Sequence, residues 1–168
     1  KKIGPFMSFG RMPIANGFLD KDKFNEEFFF EMEVGFSDDL SLFQLNDHPK
    51  PKMMFNKNYP FFTGSSQQMK LHFKEYAEWI KKYSKNKIKN VIEIGSNDGT
   101  FLKNFDPKDF NVLGFEPSKN VSDKAIKNGI NTVNEFFNKN TIVNEKKFIN
   151  NTDIICAANV ICHVPDLN

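Results

Sequence analysis

Cysteine is scarce in this sequence of 168 residues: only Cys156 and Cys162 occur, and they lack CxxC spacing. That excludes a disulfide framework and a thiolate metal site, so no metal is expected and both thiols are read as reduced and packed. Long apolar runs are missing too. None approaches the roughly 20 residues of a membrane span, and no signal peptide stands at the front, so a soluble, cytoplasmic protein is expected. Charge of one sign is also lacking, since 23 Lys and Arg against 21 Asp and Glu leave a net charge of +2. The lysines are scattered among acids and do not gather with aromatics into a groove, so nucleic acid is not expected as a partner. The one basic cluster, Lys81, Lys82, Lys85, Lys87 and Lys89, falls at the end of a predicted helix, where cations complement the helix dipole.

What is present supports a packed core. Hydrophobic residues make up 39% of the chain, with 20 Phe among the aromatics, and this composition excludes disorder. The length suits one domain, or a small module joined to part of a larger one. The chain begins at Lys1 without an initiating Met, so residues are expected to precede it.

Phe28, Phe30, Met32, Val34 and Phe36 alternate, a polar Ser37-Asp38-Asp39 follows, and Leu40, Leu42 and Phe43 come next. The pattern predicts a β-hairpin in a small N-terminal β module, residues 1–58. The Pro- and Gly-bearing stretch from His48 through Ser66 is read as a loop between modules. Ser65 and Gln68 have capping-box spacing, and Met69, Phe73, Tyr76, Ala77, Ile80 and Tyr83 recur at helical intervals, predicting a helix that ends near Ser84.

From Val91 onward, strands are predicted at Val91–Ile94, Val112–Phe115, Ile130–Val133 and Asp153–Ala158. Helices are predicted from about Thr100, from about Ser118 to a stop at Gly129, and between the last two strands. Strand and helix in alternation imply an α/β fold, a parallel sheet with right-handed crossovers and helices on both faces, over residues 59–168. These are only the first four strands of a Rossmann-like sheet. The fourth is left as an open edge, for which self-association or a partner chain is expected.

The chemistry is expected where the first parallel strand meets Glu93-Ile-Gly-Ser-Asn-Asp-Gly99. Gly95 and Gly99 permit a tight bend, Ser96 and Asn97 lie between them, and backbone amides and a following helix N-terminus would face a ligand. Glu116, about 20 residues on at the end of the next strand, suits a carboxylate that accepts from both hydroxyls of a ribose. A pyrophosphate turn would read GxGxxG, whereas this bend lacks the central glycine and carries Asp98. An acid there disfavours a nicotinamide dinucleotide, and with it an oxidoreductase. A cofactor with an ammonium and a sulfonium tolerates it, which favours S-adenosylmethionine, with S-adenosylhomocysteine as product. Glu93 would orient the bend or face the cationic end. The same residues also suit a plain strand-to-helix turn with Glu116 merely exposed.

The chain resembles the sugar C-methyltransferases that act on a nucleotide-linked keto-deoxysugar. The matching stretches are Gly10-Arg-Met-Pro-Ile-Ala-Asn16 with Phe18-Leu19, Leu42-Phe-Gln-Leu45, Tyr59-Pro-Phe-Phe-Thr-Gly-Ser-Ser66 with His72-Phe73, Glu93–Gly99, Gly114-Phe-Glu-Pro-Ser118 and Ala158-Asn-Val-Ile-Cys-His-Val-Pro-Asp166. The resemblance implies cofactor contacts from Glu93, Gly95, Ser96, Asn97, Asp98, Gly99, Glu116, Pro117 and Asn159. For the substrate side it offers Tyr59 and His163. Methylation at carbon needs a proton removed beside the sugar's keto group, so a general base and enolate stabilisation are expected. His163 and Tyr59 also have structural readings, as a hydrogen-bonded imidazole and a packed ring. His48 and His72 are read as surface or packing residues.

The family resembled has an N-terminal zinc module, a cofactor domain and a C-terminal domain. Two departures stand out. Ser37 and Leu40 occupy the place of one CxxC pair, and the other pair would precede Lys1; neither Ser nor Leu ligates zinc, which argues against a bound zinc. The family's remaining strands, its Tyr-Asp-Glu-His-like catalytic segment and its C-terminal domain are not in this sequence. The competing expectation is a partial relative that binds cofactor or a partner chain without catalysis.

Overall fold

The computed structural model describes residues 3–85 and 87–164. The chain divides into two compact units, Lys1–Met54 and Phe55–Asn168, so the break falls before Phe55, where the sequence suggested a break after Asn58.

The first unit is an antiparallel sheet of β1 (Pro5–Pro13), β2 (Phe29–Ser37) and β3 (Leu42–Leu45), in the order β1-β2-β3. The expected hairpin is β2 with β3, in register from Val34↔Leu45 to Ser37↔Leu42. At its turn the Ser37 hydroxyl accepts a hydrogen bond from the Leu40 amide at 3.4 Å. The third strand, β1, was not expected. Prolines end it on both sides, and its register slips between Pro5 and Met7 and again between Ser8 and Arg11, which erases the period of two. Asn46 ties the unit's two ends, donating to the Ile3 carbonyl at 2.8 Å while its side-chain oxygen accepts the Ile3 amide at 3.2 Å. Among the described residues every fully buried hydrophobic side chain lies in the other unit. Edge-to-face contacts of Phe43 with Phe6 and Phe36 hold the sheet's aromatic face instead. Within the expected loop, Pro51–Met54 form a single helical turn, α1.

In the second unit, α2 (Gln67–Tyr83) starts one residue later than expected. Ser66, not Ser65, is the N-cap: its hydroxyl accepts the Met69 amide at 3.3 Å. Ser65 closes a 3-10 turn, Thr63–Ser65, and donates to the Phe62 carbonyl. Phe73, Ala77 and Ile80 of α2 are buried against Val91, Phe101, Leu102 and Cys156.

Strands β4 (Asn90–Ile94), β5 (Asn111–Phe115), β6 (Thr132–Val133) and β7 (Ile154–Ala157) form a parallel sheet in the order β6-β5-β4-β7. The alternation of a strand puts Val91 in the core cluster under α2 and Ile92 in a second cluster with Leu113, Phe115 and Phe148. This is a Rossmann-like order. It reverses between β4 and β7, so the crevice for a ligand lies beyond their carboxyl ends. β6 is shorter than expected, and β7 pairs only with β4 among the described strands. Helix α3 (Lys119–Lys127) runs from an N-cap at Ser118 to a stop where Gly129 has φ +83°. The short α4 (Lys139–Ile142) carries a capping box built by Asn138 and Thr141.

One expected helix is absent. After Thr100 the chain makes a single 3-10 turn, Leu102–Asn104. The Asn104 side-chain Nδ2 donates to the Thr100 and Phe101 carbonyls, and Asp106-Pro107 follows, which disfavours helical angles before the ring. Phe101, Leu102 and Phe105 are buried, so the segment plugs the core. Among the described residues no helix is long and apolar enough to cross a membrane.

Candidate functional site

The bend that follows β4 is set by three groups of contacts. The Gly95 and Ser96 amides donate to the Phe115 carbonyl at 2.8 and 3.1 Å, which seats the bend on the end of β5. Gly95 has φ +66°, and a Cβ there would lie 2.5 Å from Val160 Cγ2, so the loop after β7 presses against it. Asn97, in the left-handed region at φ 50°, donates its amide to Glu116 Oε2 at 3.1 Å. The other oxygen, Glu116 Oε1, accepts the Ser118 amide at 2.7 Å. Glu116 therefore reaches the 95–99 bend and joins it to the start of α3.

These bonds correct the expected role of the bend. The amides of Gly95, Ser96, Asn97 and Gly99 are all engaged within the chain, the last with the Ser96 carbonyl at 3.0 Å. No α-helix follows the bend directly, so the bend has no helix N-terminus of its own to offer a ligand. Backbone donors are spent on the bend itself because its backbone folds back onto β5 and Glu116. Asp98 also faces inward: its Oδ2 accepts the Gly64 amide at 2.9 Å and its Oδ1 the Thr100 hydroxyl at 2.6 Å. Asn97 adds two bonds in the same direction, accepting from the Thr63 amide and donating to the Phe61 carbonyl. Ser96 is buried against Gly114, where it serves packing. A Cβ at Gly99 would meet Ile130 at 2.7 Å, so that glycine is also a packing requirement.

The strand ends around the bend carry negative charge. Glu93, the penultimate residue of β4, is 4% exposed, and its Oε2 has no hydrogen-bond partner. Burial pushes its carboxyl well above the ordinary carboxylate range, and the charges of Glu116 and Asp98 push the same way. Burial also raises Glu116, against the lowering effect of its bonds from Ser118 and Asn97. The ion pairs of the described residues are Arg11–Glu31, Lys81–Glu78 and Lys119–Asp123, none of which involves this trio. A buried, unpartnered Glu93 carboxyl that two neighbouring acids push upward, and that makes no ion pair among the described residues, favours a cationic ligand.

Tyr59 and His163 come together on an aromatic wall. The Phe55 ring lies 5.7 Å from that of Tyr59, 5.4 Å from that of His163 and 6.3 Å from that of Phe136. Burial raises the Tyr59 hydroxyl, with the charge of Glu116 as the second cause, so Tyr59 stands on the Glu116 side. Its carbonyl accepts from the Asn120 side chain at 2.8 Å. His163 is exposed, in a 3-10 turn (Ile161–His163) just after β7. Asn159, also exposed, has φ 56°, which makes it the turn residue at the end of that strand. The Glu116 and Pro117 carbonyls both accept from the Asn134 side chain, which brings the segment after β6 beside them. Phe55 and Phe136 escaped the sequence reading. Phe136 could have been found from its place after a parallel strand, whereas Phe55 carries no local signal.

The two cysteines differ. Cys156 is buried, accepts the Tyr76 hydroxyl and is pushed up to about 11 by burial. Cys162 is exposed, contrary to the packed thiol expected. Both lie in the second unit, and His48 is the single histidine of residues 1–54. Among the described residues no group of three or more His, Cys, Asp or Glu could hold a metal ion. The donor set of the first unit does not fit zinc. Pro165 and Asp166, which end the last resembling stretch, lie outside the described residues.

Residues 68–168 match the family model described as a methyltransferase domain. Residues 1–55 match one described as a "putative zinc binding domain". No curated protein matches the chain.

Proposed function

We propose that this chain, which belongs to the methyltransferase domain family, holds S-adenosylmethionine beyond the carboxyl ends of β4, β5 and β7 and serves methyl transfer to a carbon of a nucleotide-linked keto-deoxysugar. The observation that carries the cofactor reading is Glu93, whose buried Oε2 is unpartnered and whose carboxyl the neighbouring Glu116 and Asp98 push upward. The cofactor supplies a methyl group on a positively charged sulfur. Glu93 and Glu116 attract that end of the ligand and oppose an anionic dinucleotide. Each Glu116 oxygen accepts one amide bond and keeps a lone pair, which suits the two hydroxyls of a ribose. Phe55, Tyr59 and Phe136 offer ring faces to a planar base.

The sugar reading rests on the resembling stretches around Tyr59 and His163. Tyr59 keeps its proton and donates to the oxygen on which negative charge develops when the sugar is deprotonated. His163, exposed on the same wall, takes the proton from the carbon beside the keto group. No step passes through zinc.

Calorimetry with S-adenosylhomocysteine tests the site. Glu116→Ala is expected to weaken binding by roughly ten-fold or more, the scale of a lost charge-assisted hydrogen bond; unchanged affinity removes the site. A methylation assay with a nucleotide-linked keto-deoxysugar tests the substrate, with His163→Ala expected to lose turnover and keep cofactor affinity. Cofactor binding without product in the wild type would leave a relative that binds but does not catalyse.

A further inference from the structure

The outer face of α2 carries a ladder of stacked rings of which Tyr76 alone packs on the core. His72 and Tyr76 lie 6.3 Å apart with planes at 14°, Tyr76 and Trp79 6.0 Å apart at 17°, and Trp79 and Tyr83 5.2 Å apart at 17°. Tyr76 anchors the ladder inward, against Phe101 and the Cys156 sulfur. Trp79 is nevertheless 56% exposed and Tyr83 75%. With Met69, also exposed, the stripe runs 69, 72, 76, 79, 83. Steps of three and four alternate, which is the spacing of a helix seam that packs against another helix. Phe73, Ala77 and Ile80, which face the core, lie beside this seam and not on it.

The charges along the seam say what fits it. Glu75 and Lys82, both exposed, each stand one residue before a ring of the seam, Tyr76 and Tyr83, whereas the Lys81 side chain is only 19% exposed. Glu78 and Lys81 pair with each other at 2.9 Å, and Lys81 also donates to the Asn104 carbonyl. Glu75 and Lys82 make no ion pair among the described residues. A parallel neighbour would set glutamate beside glutamate and lysine beside lysine. A second copy running the opposite way reverses the order and sets Glu75 beside the partner's Lys82, twice by symmetry.

We propose that α2 is a self-association surface, on which two copies of this chain pair antiparallel about a two-fold axis level with Tyr76 and Trp79. Tyr76 then meets the partner's Trp79, and His72 meets the partner's Tyr83. A helix of this length spans about 25 Å. One such pair buries less than the roughly 1,200 Å² of a standard interface, so the dimer is weak and depends on concentration.

Sedimentation velocity of the full chain across a concentration series tests this. The wild type is expected to shift from monomer toward dimer. Trp79→Ser with Tyr83→Ser, both at exposed positions, is expected to stay monomeric with an unchanged circular dichroism spectrum. Lys82→Glu is expected to weaken association roughly ten-fold, as two ion pairs become repulsive, and adding Glu75→Lys to it is expected to restore association. A wild type that stays monomeric overturns the proposal. So does a dimer indifferent to the ring substitutions, which is pairing through another surface such as β7, and so does a charge reversal without rescue, which excludes the antiparallel arrangement.

Discussion

Asp98 Oδ2 accepts the Gly64 backbone amide at 2.9 Å, which turns an acid of the bend into an anchor for the segment that precedes α2. The Thr100 hydroxyl occupies the other oxygen. Asp98→Ala leaves both donors without a partner, and a bond to a charged acceptor contributes about 1.5–3 kcal/mol. Hydrogen exchange measured by NMR is expected to show the Gly64 amide exchanging roughly ten-fold faster or more, with α3 amides unchanged. Unaltered protection at Gly64 would show that the anchor is not what holds this segment.

Glu93 ties stability and binding to pH in opposite senses. Its carboxyl is raised in the folded chain, so the fold holds the proton more tightly than the unfolded chain does. The resulting stability is complete below the ordinary carboxylate value of 4.5 and is lost as pH rises through the folded value. Glu93→Gln is therefore expected to raise the melting temperature of the ligand-free chain at neutral pH and to flatten its rise on acidification. A bound cation favours the ionised form. Affinity for S-adenosylmethionine is thus expected to increase with pH more steeply than affinity for S-adenosylhomocysteine, which lacks the charged sulfur. Equal slopes in calorimetric titrations would separate Glu93 from the cationic end.

Gly95 faces both a backbone and a packing constraint. Alanine at φ +66° costs about 1–2 kcal/mol in backbone strain, and overpacking against Val160 adds about 1–3 kcal/mol. Adding Val160→Ala is expected to relieve the second part and leave the first. Urea melts of the two single variants and the double variant check this, and strict additivity would show that the two residues do not press on each other.

The first unit is expected to hold its structure without metal. The Ser37–Leu40 bond closes the turn at the position of the family's missing ligand pair, and no cysteine lies in residues 1–54. Treatment with a chelator is expected to leave the circular dichroism melt unchanged, and elemental analysis to find no stoichiometric zinc. Zinc at one per chain would overturn this.

Much of the second unit was legible because its signals are local. The buried runs Val91–Ile94 and Val112–Phe115 read as strands without help from tertiary contacts, and Ser118 and Gly129 mark the ends of α3 by their backbone roles. Glu116 was legible because its position at a strand end determines where its carboxylate points. The helix expected after Thr100 failed because Thr-Phe-Leu looks like a helix start, while Asn104 and Pro107 end it within a turn. β1 was hidden by its prolines and by two slips of register. The inward turn of Asp98 and the wall around Phe55 depend on partners far away in the chain, so no window of sequence contains them.

The strand order has a consequence for synthesis. β4 is made before either neighbour, and its ladder with β7, from Val91↔Ile154 to Ile94↔Ala157, cannot close until residue 157 has left the ribosome. Through that interval the nascent chain carries a strand with three large apolar side chains, Val91, Ile92 and Ile94, and one unpaired side, while the edge that will cover it is still being translated. Shielding by a chaperone matters most at that stage, and slow codons placed before residue 154 would lengthen the exposure.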